Sequence, residues 1–145
     1  MSKSDTFEND VLLLIFNNTN IALVGDTTGL RGSASAGSLY LSLHTADPAE
    51  GGTQSTNEVT YTSYARVPVA RTSAGFVVTG NQAALAAAVD FPAGTGGSGV
   101  ATHVGIGASS SGAGKLLYKG ALTPNITCGA GITPRVNAGV VVTED

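Results

Sequence analysis

Ser38-Leu39-Tyr40-Leu41-Ser42-Leu43-His44 is the stretch that decides the fold class. Leucine takes every second position, and Tyr, Ser and His stand between. Successive side chains of a strand point to opposite faces, so the alternation predicts a half-buried strand with Leu39, Leu41 and Leu43 inward. Asp47-Pro48 and then Gly51-Gly52 break it. The same period recurs downstream. Residues 64–72 read as a second strand, with Pro68 placing it at an edge or a bulge. Ser73-Ala74-Gly75 then turns the chain into Phe76-Val77-Val78-Thr79, which predicts a hairpin. Residues 100–108 form a further strand with Val100, Thr102, Val104 and Ile106 on one face. A polar turn over 109–114 leads to a partner strand over 115–122, and 132–136 and 139–143 read as the last strands.

Two segments do not follow this period. Residues 81–91 mix signals: Ala83 to Ala88 with Leu85 has helix propensity, whereas Val89-Asp90-Phe91-Pro92 reads as a strand end, and a strand over 86–91 is favoured. Residues 5–18 predict a helix. Asp5 is placed to cap it, and Glu8 three residues on completes a capping-box pattern. Phe7, Val11, Leu14 and Ile15 fall at helical spacing and predict an apolar stripe that must be covered. Residues 25–37, rich in Gly, Ser, Thr and Ala around Asp26 and Arg31, read as a flexible loop or arm. With about seven or eight short strands between Gly-rich turns and no βαβ alternation, the expected fold is an all-β, jelly-roll-like β-sandwich with a short N-terminal helix. It is expected as a single domain over 1–145, the sandwich occupying 38–145.

Composition narrows the function classes. Charged residues are 12% of the chain, about half the usual share, and 20 of 145 residues are Gly. So few charges suit a surface that packs against other proteins. The formal net charge is −3 and the seven basic residues are scattered, so there is no basic run of the kind that binds phosphates, and no nucleic-acid partner is expected. The longest apolar run, from Val11 to Phe16, is far short of the roughly 20 residues of a membrane span, and no membrane association is expected. Cys128 is the sole cysteine, so no internal disulfide forms, in keeping with folding in a reducing compartment.

The motifs that suggest chemistry fail on context. Gly94-Thr95-Gly96-Gly97-Ser98-Gly99 matches GxGxxG, but that fingerprint needs a helix N-terminus after it, and Val100-Ala101-Thr102-His103-Val104 is strand-like. Gly112-Ala113-Gly114-Lys115 lacks both the earlier Gly of a phosphate loop (position 109 is Ser) and the hydroxyl residue after the Lys (position 116 is Leu). His44 and His103 lie on separate strands with only scattered Asp47, Glu50, Glu58 and Asp90 to join them, which gives no metal-ligand spacing. They read as side chains at the polar face or margin of a sheet. No GxSxG elbow is present, and Trp is absent from any would-be sugar platform. No enzymatic role, cofactor or metal is expected. Arg66 and Arg71 on the second strand read either as interface residues or as solvated positions.

Several segments in order resemble a family of small tailed-bacteriophage virion proteins. They are Leu39-Tyr40-Leu41-Ser42-Leu43-His44-Thr45-Ala46-Asp47-Pro48; Glu58-Val59; Tyr64-Ala65-Arg66; Val89-Asp90-Phe91-Pro92-Ala93; Val100-Ala101-Thr102-His103-Val104-Gly105-Ile106; and Leu116-Leu117-Tyr118-Lys119-Gly120-Ala121-Leu122. Members of that family are labelled capsid cement (decoration) proteins or tail-fibre proteins. The resemblance covers roughly residues 5–143 and implies a jelly-roll-like β domain on a phage particle, with no catalytic residues to carry over. The stretches at 25–37 and 94–99 look longer and richer in Ser and Gly than the family pattern. The expectation is a structural protein made in the bacterial host cytoplasm. It would sit on the capsid surface, cement neighbouring major capsid protein subunits and self-associate as a dimer or trimer. A tail-fibre or tail-tip component is the alternative, with a phage cell-wall hydrolase a distant third. The expected interface residues are the helix stripe Phe7, Val11 and Leu14, the arm around Arg31, and Arg66 and Arg71.

Overall fold

The structure, a computed structural model, describes residues 2–145. The chain is all-β apart from one N-terminal helix, the composition of the sandwich class that the alternation predicts. The helix is α1 (Asp5–Asn17). The strands are β1 (Ser38–His44), β2 (Val67–Ala70), β3 (Phe76–Thr79), β4 (Gln82–Leu85), β5 (Val89–Asp90), β6 (Ser98–Gly107), β7 (Leu116–Gly129), β8 (Arg135–Val136) and β9 (Val141–Thr143). They form sheets ordered β2-β1-β6-β7, β3-β4-β9 and β5-β8. The chain gathers into two compact units, one made of residues 1–38, 69–88 and 137–145, the other of 39–68 and 89–136.

In the first unit, the helix starts at Ser4 rather than at Asp5. Ser4 has extended backbone angles and its Oγ accepts from the Phe7 amide at 3.4 Å, while Asp5 is already helical. Asn18, at φ 56°, ends the helix in a left-handed cap. The residues of α1 buried within the chain are Glu8, Leu12 and Phe16, while the stripe Phe7, Val11, Leu14 and Ile15 stays exposed or half-buried, so the chain's own sheet does not cover it. Residues 11–16 are all apolar, so spacing alone does not select a face. The choice falls to the large aromatic that finds a partner: the rings of Phe16 and Phe76 lie 4.7 Å apart at 56°. Leu12, Ile21, Ala83 and Leu85 complete this core.

The expected hairpin between the second and third strands does not form. A turn with Gly75 N–H and Phe76 N–H both donating to Thr72 O redirects the chain, β2 joins β1, and β3 pairs with β4 instead. The strand expected over 86–91 is shortened to its last part, and a separate strand forms before it. The alanine-rich segment supplies β4 at Gln82–Leu85, and β5 covers only Val89–Asp90, paired to β8. Gln82 to Leu85 alternates outward and inward, so tertiary pairing overrides the helix propensity of alanine.

The second unit is built on β6, β7 and most of β1 from the four-stranded sheet, with Val67 and Pro68 of β2. β2 is its edge strand, as Pro68 requires. In β1, Leu39, Leu41 and Leu43 are buried as predicted, but Ser42 and His44 on the other face are buried too. The β6–β7 register shifts between Ala101 and His103, where Thr102 alone stands opposite residues 122–125 of β7; Ala101, Val104 and Ile106 are buried and Val100 is 47% exposed. Of the expected face Val100, Thr102, Val104 and Ile106, only Val104 and Ile106 are buried. β7 runs to Gly129, past the expected end at 122, with residues 122–125 looping out between its paired segments. Val59, Tyr61, Phe91, Cys128 and Val136 fill the rest of this core.

Candidate interaction surfaces

Of the polar groups that the sequence offers for chemistry, His44 and Glu58 are taken up by hydrogen bonds inside the second unit, whereas Asp47, Glu50 and Asp90 stay at the surface. His44 is fully buried. Its Nδ1 lies 2.8 Å from the Thr56 carbonyl, which only accepts, so Nδ1 carries the proton and Nε2, 2.8 Å from Ser42 Oγ, takes the hydroxyl proton. Burial holds the His44 pKa below its ordinary 6.5, consistent with this neutral form. Gly105 faces Ser42 across the sheet, and a Cβ there would come within 2.7 Å of both His44 Nε2 and Ser42 Oγ. The sequence reading of His44 as a side chain at the polar face or margin of a sheet is corrected in one respect: it is hydrogen-bonded, but fully buried.

Beside it, Arg66 is enclosed. Its Nε and Nη2 donate to the two oxygens of Glu58 at 2.7 and 2.8 Å, Nη1 to Ser109 O at 3.0 Å, and Nη2 also to Gly112 O at 2.7 Å. Tyr64 Oη donates to Glu58 Oε1 at 2.7 Å and accepts from the Leu43 amide at 3.1 Å. Burial pushes the Tyr64 phenol far above its usual pKa, and that of Tyr61, which donates to Pro92 O, up to about 12. Gln54, also fully buried, accepts from the Ser109 amide at 2.9 Å. The absence of a side chain at Gly107 and Gly114 makes room for it. These residues pin the loop after β1 and the turn between β6 and β7 to the sheet. Neither GxGxxG nor the Gly112–Lys115 segment leads into a helix; strands β6 and β7 follow them.

The expected interface residues separate into two groups. Arg66 and Arg71 have internal partners. In the first unit, Arg71 Nε and Nη2 donate to Ile15 O and Leu14 O at 2.6 and 2.7 Å, and Nη1 to Ala36 O at 3.1 Å. A guanidinium thus closes the carbonyl end of α1, where cations are favoured. Phe7 is 38% exposed, Val11 and Leu14 are half-buried, and Arg31 is exposed. The 25–37 segment carries its own hydrogen bonds. Asp26 Oδ1 accepts from the Thr28 and Gly29 amides, and an Ile21–Leu30 bridge closes the preceding loop. Asn18 both donates to Ser33 O and accepts from Ser33 N.

Exposed apolar side chains that the sequence reading did not single out are Leu23, Val24 and Leu30 around that bridge, Val77 and Val141 on β3 and β9, and Leu117 on β7. Leu23 is 77% exposed at φ 63°, a region leucine rarely adopts. Nothing in composition marks it, because the hairpin-like closure of 21–30 is a tertiary feature. A groove of about 260 Å³ also opens in the second unit beside Ala49, Glu50, Gly52 and residues 116–119, where Lys119 pairs with Asp47 at 2.9 Å and Glu50 at 3.1 Å.

A rigidly hydrogen-bonded β scaffold with apolar side chains left outside is the make-up of a structural protein, and over residues 2–144 the sequence matches a family of phage structural proteins. That family is described as podophage GP4 fiber I protein gp80, and the chain belongs to it. A search of curated proteins finds no match.

Proposed function

We propose that the chain is a non-enzymatic structural subunit of a phage tail fibre, working by burying surface against neighbouring virion proteins. The observation that carries this reading is the match of nearly the whole chain, residues 2–144, to a family described as a fibre protein. The geometry supports it. The buried polar groups of the second unit satisfy one another, as His44 and the Glu58–Arg66 pair do. Large apolar side chains are among those left exposed for contact, Phe7, Leu23, Val24 and Leu30 in the first unit, and Arg31, next to Leu30 in the chain, is exposed too. Contacts of this kind reach stability when a subunit buries about 1,000 Å² or more, or when many copies add through multivalency. Purified particles test the reading. Quantitative mass spectrometry gives a copy number set by the symmetry of the tail, and antibody labelling falls on the tail. Absence from particles overturns it.

A second reading, a cement protein bridging major capsid subunits on the head, is favoured by the charge-poor surface, with 12% charged residues suited to lying flat on protein. It predicts a copy number that scales with the major capsid protein and label spread over the head.

A further inference from the structure

β7 is the outer strand of the four-stranded sheet, and the register fixes which of its main-chain groups turn outward. His44 of β1 bridges Glu58 on one side and His103 of β6 on the other. Leu43 gives its N–H to the Tyr64 hydroxyl and its carbonyl to the Val59 amide, both on the side away from β6. In an antiparallel ladder it therefore stands in a non-hydrogen-bonded pair with its β6 neighbour, Val104. Val104 turns its own N–H and C=O the other way, to Gly120 of β7. Direction alternates along a strand, so Lys119 and Ala121, on either side of Gly120, point theirs away from the sheet. No strand of the described residues pairs with that edge. The register shifts at Leu117 and again over 122–125, so the regular edge is the run 118–121.

The same segment of β7 lines the groove of about 260 Å³, with Ala49, Glu50 and Gly52 opposite residues 116–119. Lys119 pairs there with Asp47 at 2.9 Å and Glu50 at 3.1 Å. Two carboxylates to one ammonium leave one negative charge in excess, and the Glu50 side chain is 95% exposed. His103 is the other titratable group acting on Asp47.

We propose that this edge takes an extended segment of a neighbouring, different virion protein as a fifth strand, with a lysine or arginine of that segment set beside Glu50. The identity of the partner as a virion protein rests on the function proposed above; the edge is a property of this chain alone. Outward N–H and C=O groups in a row are matched by another extended main chain, and strand addition is the mode that uses them. Lys119 and Ala121 offer two donors and two acceptors, and the excess carboxylate selects a basic side chain. Two copies meeting by this edge would instead bring two grooves of like charge together. The shifts at Leu117 and over 122–125 keep the added strand short, which prevents open-ended stacking of edges. So few bonds make a weak site for a free peptide and an effective one for a segment that other contacts already hold close.

The test titrates the full chain at low salt and pH 8, above the ordinary imidazole range, with an acetylated, amidated peptide of alternating threonine and valine around a central lysine, followed by amide NMR shifts. The shifts gather at 117–121 and 49–52, with a dissociation constant in the millimolar range. Ala121→Pro removes one outward N–H and no ladder bond, so it unfolds near the wild-type temperature and binds about tenfold or more weakly. The same peptide N-methylated at every amide loses at least as much against the wild type. Replacing the central lysine by glutamate weakens binding about threefold or more, and added salt or Glu50→Gln narrows that difference. Amides of 117–121 left unshifted overturn the proposal, as does equal binding of the lysine and glutamate peptides. So does an N-methylated peptide that binds as tightly as its parent, which assigns the groove to side chains alone. Shifts at 117–121 that grow with protein concentration before peptide is added assign the edge to a second copy and also overturn it. Failure of the virion reading shows separately, as absence of the chain from purified particles, and leaves this titration unaffected.

Discussion

Arg66 grips Glu58 through two parallel hydrogen bonds of 2.7 and 2.8 Å, with the Arg66 side chain only 2% exposed. The pair anchors the β6–β7 turn to the segment entering β2, because the same guanidinium donates to Ser109 O and Gly112 O. Arg66→Met leaves the Glu58 carboxylate without its counter-ion, with the Tyr64 hydroxyl still donating to it, and removes a donor from two carbonyls; it is expected to lower stability by about 3–5 kcal/mol, read by urea unfolding. Glu58→Gln combined with Arg66→Met recovers part of that loss, because no lone buried charge remains.

Arg71 makes a different kind of prediction, since its role depends on shape. Its planar fork reaches Leu14 O and Ile15 O together. Arg71→Ala is expected to cost roughly 1.5–3 kcal/mol, and Arg71→Lys, with one donor point in place of a fork, to recover less than half of it. Amide exchange of residues 14–18 and 33–37 rises in both variants.

The alternation in β1 was readable because it is strict, and so was the strand class of most of the chain. The Pro68 edge position followed from one missing N–H. The helix was legible to within a residue at each end, but its buried face was not, because residues 11–16 are uniformly apolar and Phe16 is selected only by Phe76, 60 positions on. The extra residues of β7 at 122–125 leave no mark in period-two counting. The same holds for the arginines. Sequence shows a cation on a strand, whereas the carbonyls that claim Arg66 and Arg71 come from segments up to 57 residues away. The exposed Leu23 and the outward main chain of Lys119 and Ala121 are products of pairing, invisible until the register is known.

Gly107 lies where the Gln54 side chain passes, and a Cβ there would overlap Gln54 Cδ. Gly107→Ala is expected to destabilise by about 1–3 kcal/mol through overpacking. The signature that separates this from a generic loss is suppression. Gln54→Ala, which clears the space, is costly in the wild type but nearly free in the Gly107→Ala background, measured as a double-mutant cycle.

His44 gives the fold a pH dependence of known sign. Its folded pKa lies below 6.5 because burial disfavours the imidazolium. In the window below 6.5 the unfolded chain therefore binds more protons than the folded one, and stability falls as pH falls. The loss begins near pH 6.5 and levels off once the folded pKa is passed. Subtracting the stability profile of His44→Gln from that of the wild type isolates the slope, and a flat difference between pH 7 and pH 5 contradicts it.

The first unit takes its segments from three places in the chain, with the second unit's last segment, 89–136, inserted before residues 137–145. During synthesis, every residue of the second unit leaves the ribosome before β9 does. The Glu58–Arg66 scaffold is therefore free to set while β4 still presents one open edge, and that edge closes only with the arrival of Val141–Thr143. A chain cut just short of residue 141 would carry a finished sheet and an unfinished one, and the exposed strand of the latter is where a chaperone would first take hold.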